Sequence, residues 1–109
     1  MTPEQDPTQE GKIVVHISTD LQELIPGYLA NRQKDIHTMW EALAQDDYET
    51  IRILGHSMKG AGGGYGFDPI SEIGSSIERA ARDREPDTIR RWIGELLTYL
   101  ERVQIIYDE

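Results

Sequence analysis

Five glycines fall within seven residues, at Gly60, Gly62, Gly63, Gly64 and Gly66, directly after a segment with helical periodicity. Each glycine in a helix forfeits about 1 kcal/mol relative to alanine. Such a run is consistent with a flexible loop starting after Lys59. The preferred reading is a helix whose glycines let something approach closely. The preceding residues sort into two faces at about 100° per residue. Ile51, Leu54, Met58, Ala61, Gly62 and Tyr65 form an apolar stripe. Arg52, His56, Lys59, Gly60 and Gly63 lie roughly opposite. An imidazole between two cations, beside backbone without side chains, is thereby aimed away from the core.

The flanking segments repeat the helical period. Ile25, Leu29, Ile36, Trp40 and Leu43 predict a helix from Pro26 to about Gln45, with Asp46 and Asp47 as the turn. The glycine-bearing helix is expected over 48–65. Asp68 as N-cap and Pro69 at the first position open a third, with Ile70, Ile73, Ile77, Ala80 and Ala81 inward. The last is expected from Pro86 to Ile106 through Ile89, Ile93, Leu96, Leu100 and Val103. Thr19 and Gln22 read as a capping box before the first helix. Residues 1–12 read as a flexible lead-in and 13–109 as one domain. Lys12–Ile17 is β-branched, but nothing downstream offers a strand partner, so it is expected to lie extended across helices. The predicted fold is all-α: an antiparallel up-down four-helix bundle with a short N-terminal helix or extended lead-in.

A net charge of −9 argues against nucleic-acid and anionic-lipid partners. No apolar run approaches the roughly 20 residues of a membrane span. With no signal-peptide pattern and no cysteine, a cytoplasmic location is expected, and a monomer. The glycines complete no phosphate loop: the dinucleotide pattern lacks its strand, and Ala61 stands where a Walker loop needs lysine. Gly55-His56-Ser57-Met58-Lys59 misses the closing glycine of a hydrolase elbow. His16, His37 and His56 show no metal-ligand spacing, so no metal site is expected.

His56 lies opposite the apolar stripe, so burial does not account for it. An unperturbed imidazole, with a pKa of about 6.5, is available as a nucleophile at neutral pH. Flanking cations would stabilise phosphoryl charge attached to it. No carboxylate stands three or four residues away to serve as a base, and nitrogen attack on phosphorus requires none. The residues therefore point to covalent phosphoryl acceptance at nitrogen.

His56-Ser57-Met58-Lys59-Gly60 on the second long helix of a small acidic helical chain resembles the histidine-containing phosphotransfer (HPt) domain of two-component phosphorelays. The likeness extends over about Leu21 to Tyr107. It includes Leu29-Ala30-Asn31-Arg32, the Gly64-Tyr65-Gly66-Phe67 exit, Ile73-Gly74 with Glu78 and Ala81, and Tyr99-Leu100. The resemblance implies that His56 is the phosphorylated residue, Lys59 neutralises the phosphoryl group, and Gly60 leaves room for the partner. The partners implied are response-regulator receiver domains of a sensor histidine kinase pathway. Their aspartate exchanges the phosphoryl group, and they bring their own Mg²⁺, leaving this chain without a cofactor. The module so described is not a kinase and binds no nucleotide. Arg52 and Gly63 are expected beside Gly60 at the partner face, and Tyr28, Met39 and Phe67 could supply its apolar part. The alternative is a non-catalytic adaptor that docks receivers through the same bundle.

Overall fold

The computed structural model describes residues 11–109. Residues 1–10, most of the expected lead-in, lie outside the described residues. Strand β1 (Ile13–Ser18) leads through a 3-10 turn (Thr19–Leu21) into helix α1 (Ile25–Ala44). Helix α2 (Tyr48–Ala61), a second 3-10 turn (Gly63–Tyr65), α3 (Asp68–Arg82), α4 (Pro86–Arg102) and strand β2 (Val103–Asp108) follow. The main packed helix pairs are α1 with α2, α2 with α3, α3 with α4, and α4 with α1. This is the helical bundle read from the periodicity, with a sheet added.

Local chemistry sets the helix ends. Asp47 caps α2, its carboxylate accepting from the Thr50 amide at 3.2 Å and the Thr50 hydroxyl at 2.6 Å. Those bonds, the hydroxyl first, hold its pKa below the usual range. Pro26, Pro69 and Pro86 sit in first turns, where a missing N–H is harmless. Helix α3 starts one residue earlier than expected, with Asp68 as its first helical residue and Phe67 at the cap position. The capping box at Thr19 and Gln22 does not form. The Ser18 hydroxyl accepts from the Asp20 amide instead, because three residues of 3-10 helix are too short for the reciprocal bond.

The core contains Ile25, Met39, Ile51, Met58, Phe67, Ile70, Ile77, Ile89, Ile93 and Leu96, all fully buried. Four expectations are corrected, three on α1 and one at Phe67. Trp40 is exposed and Met39 takes the inward place, because the stripe runs Ile36–Met39–Leu43. Tyr28 and Phe67 are buried too, stacked with ring centroids 5.6 Å apart, and Tyr65 stacks on Tyr28 at 4.4 Å. Met39 and Phe67 are therefore core residues that offer no surface to a partner, and Tyr28 reaches the surface only as part of the lining of a groove between α1 and α2.

The all-helical expectation also gives way at both ends of the described chain. β1 and β2 pair in parallel, Ile13 with Val103, Val15 with Ile105 and Ile17 with Tyr107. These six residues share one face and pack on the core. Helix α4 therefore stops at Arg102, four residues before the expected end. From Val103 the apolar spacing changes from helical to alternating, and β1 supplies the partner strand that the local sequence does not reveal. On the outer face the His16 imidazole contacts Asp108 at 2.8 Å, which fixes the register at its far end.

Candidate functional site

The site begins with two glycines that touch. A methyl group on Gly55 would lie 2.7 Å from the Glu78 amide nitrogen and 2.8 Å from the Gly74 carbonyl oxygen. One on Gly74 would lie 2.7 Å from the Lys59 amide nitrogen. Only hydrogen at both positions lets α2 and α3 pack backbone against backbone. That contact places Glu78, one turn beyond Gly74, beneath His56, one residue beyond Gly55.

The His56 side chain is 67 % exposed and the Glu78 side chain 9 %. His56 Nδ1 donates to Glu78 Oε2 at 2.9 Å. An ionised carboxylate only accepts, so Nδ1 carries a proton, and in the neutral ring the lone pair then falls on Nε2. Lys59 Nζ lies 3.8 Å from Glu78 Oε1, and Arg82 approaches Oε2 at 3.6 Å. Burial pushes the Glu78 carboxyl upward, but the His56 hydrogen bond and the charges of His56, Lys59 and Arg82 outweigh it. The net result is a pKa below the ordinary glutamate value.

Glu78 is the site residue that periodicity within α2 did not reveal, because it reaches His56 from 22 residues away. One signal was available. It is the only charged residue buried on the face of α3 that carries Ile70, Ile73, Ile77 and Ala81.

The other candidate residues separate. Lys59 and Gly60 are exposed beside His56, and a methyl on Gly60 would meet nothing within 4 Å. Arg52 stands one turn away, its guanidinium doubly bonded to Glu49 at 2.6 and 2.5 Å. Gly63 turns toward α3: its amide donates to the Ser71 hydroxyl at 2.8 Å. The glycine run is neither a loose loop nor a helix to Tyr65. Gly62 remains helical, with Ser71 and the Phe67 carbonyl under 3 Å from where a methyl would be. Gly66 then closes the 3-10 turn at φ 93°, a left-handed conformation suited to glycine. His16 is paired with Asp108, and the exposed His37 lies 3.6 Å from Glu41, so neither adjoins His56. Among the described residues, no group of three or more His, Asp or Glu side chains converges as a metal site.

A groove of about 480 Å³ runs between α1 and α2 past Ser57, the neighbour of His56, lined in part by Glu23, Leu24, Tyr28, Arg32 and Ala61. No helix of the described residues is long and apolar enough to cross a membrane.

Neither a curated protein nor a solved structure matches the chain. A family model described as the Hpt domain matches residues 23–105. That span takes in all four helices and the His56–Glu78 pair. The chain thus belongs to the HPt family, the histidine phosphotransfer modules of two-component signalling.

Proposed function

We propose that this chain is a phosphorelay carrier that takes a phosphoryl group from the aspartate of one receiver domain and passes it to another. The observation that carries this is the orientation of His56, exposed on α2 with Nδ1 committed to Glu78. The Nε2 lone pair attacks the phosphorus of an aspartyl phosphate. The N–P bond forms, the acyl O–P bond breaks, and the receiver regains its carboxylate. No proton leaves Nε2, so no base is required in the step. The product imidazolium keeps its Nδ1–H on ionised Glu78, which stabilises the added positive charge. Lys59, within reach of the same carboxylate, swings toward the phosphoryl oxygens. Exposed Gly60 leaves the partner's catalytic loops room beside Nε2. Any Mg²⁺ needed is supplied by the receiver.

The same reading includes an up-down bundle with antiparallel neighbours, which the three-residue links at 45–47 and 83–85 support. The test is phosphotransfer from phosphorylated receivers to wild type and His56→Gln. Wild type takes up acid-labile, base-stable phosphate. His56→Gln takes up none while keeping its helical signal and melting temperature. Equal labelling of both proteins would sink the proposal. Receiver binding without any transfer would identify the non-catalytic adaptor instead.

A further inference from the structure

The surface around His56 is electrically divided. On the α2 wheel, Gly60, Ile53 and Ser57 lie roughly 40–100° to one side of His56. Arg52 and Lys59 lie about 40–60° to the other. The first side faces the α1 groove, to which α2 brings no charge and whose other wall carries Glu23 and Arg32, one of each sign; Ile53, on this side of the wheel, is 54 % exposed. The second side faces α3. There a pocket of about 190 Å³ is lined by Tyr48, Glu49, Arg52, Ala81, Arg82 and Arg84.

The guanidinium groups of that pocket are unequally satisfied. Arg52 has Glu49. Arg82 reaches only Glu78 Oε2, at 3.6 Å, an oxygen that His56 already engages at 2.9 Å. Arg84 stands 5.8 Å over the Tyr48 ring and has no carboxylate within 4 Å among the described residues, although Asp83 and Glu85 flank it in sequence. The sole carboxylate lining the pocket is therefore taken, and two arginines retain donors for an outside acceptor. Planar guanidinium groups bind carboxylates through paired hydrogen bonds. On a chain of net charge −9, this is a local cationic surface one turn from the reactive histidine.

Resting on the carrier reading, we infer that Arg82 and Arg84, with Arg52 beside them, select and orient receivers by binding acidic side chains on the receiver's docking rim. The half over the α1 groove, where Glu23 and Arg32 carry one charge of each sign, takes the rest of the contact. A receiver docked the other way round would bury its carboxylates against Ile53 and leave the arginines unpaired. Both faults penalise the wrong orientation and the wrong partner.

The test compares Arg84→Glu and Arg84→Gln with wild type in two assays. Phosphoramidate, a small donor that needs no docking, labels His56 and supplies each variant's reference rate. Transfer between His56 and a panel of receiver domains phosphorylated with acetyl phosphate is then divided by that reference. For receivers that serve wild type, the ratio is expected to fall about tenfold for Arg84→Glu and less for Arg84→Gln. A lysine in place of one rim carboxylate on the best receiver is expected to restore transfer with Arg84→Glu. A ratio within twofold of wild type for every such receiver overturns the inference and leaves the carrier reading intact. If no receiver exchanges phosphate with wild type, the carrier reading fails and this inference with it.

Discussion

A carboxylate that accepts from Nδ1 makes Nε2 the basic position of the imidazole, so replacing Glu78 changes the tautomer before it changes the shape. Glutamine has the same volume, but its amide can donate to Nδ1 and leave the proton on Nε2. Glu78→Gln is therefore expected to slow phosphoramidate labelling of His56 by about tenfold or more, with the fold retained. The same residue gives a pH signature. Its pKa in the fold lies below its ordinary 4.5, so the stability it contributes is complete above about pH 4.5 and is lost as pH falls through the lower folded value. Urea midpoints measured from pH 6 to 3 should fall more steeply for wild type than for Glu78→Gln. Parallel curves would remove the carboxylate from the ledger of folded-state interactions. At this scale the sequence was legible where one helix suffices. The wheel of α2 aims His56 and Lys59 outward without any knowledge of neighbours. It is silent about Glu78, because a period orders residues within a helix and says nothing of which helix lies beside it.

Among the elements, the contact of α2 with α3 governs the site. Gly74→Ala puts a methyl group 2.7 Å from the Lys59 amide nitrogen and 2.8 Å from the Gly55 carbonyl oxygen, where backbone cannot yield cheaply. The expected cost is roughly 3 kcal/mol, read as a lowered denaturant midpoint, with weaker labelling of His56 as Glu78 is displaced. Gly60→Ala is its opposite. Nothing lies within 4 Å of the new methyl, so helix propensity gains up to about 1 kcal/mol. Transfer from a receiver should nonetheless slow, since the methyl stands where the partner approaches. A stabilised Gly60→Ala with undiminished receiver transfer would show that this glycine serves no docking. The four helices and their starts could be read from proline, aspartate and apolar spacing. Their ends were harder. The 62–66 turn is set by Ser71 and Phe67 of the following segment, and no local pattern in the glycine run discloses those partners.

At the scale of the molecule, the β1–β2 ribbon joins the beginning of the described chain to its end. Its apolar face rests on the bundle, with Ile17 only 3 % exposed and 3.5 Å from the position a methyl would occupy on Gly66. Ile17→Ala should lower stability by about 3 kcal/mol in chemical denaturation. Phosphoramidate labelling of the protein that remains folded should be unchanged, because the ribbon lies outside the His56–Glu78–Lys59 cluster. An unaltered melting curve would mean that the ribbon is not part of the cooperative fold. Sequence reading missed this feature for a physical reason. Each strand is six residues long, and the partners are 90 positions apart, so neither segment declares itself without the other. The pairing also has a mechanical consequence. In a parallel pair, traction on residue 13 toward the amino side and on residue 108 toward the carboxyl side slides one strand lengthwise past the other. The inter-strand bonds are then loaded together instead of peeling one by one, so a domain stretched between these points meets its resistance before any helix is disturbed.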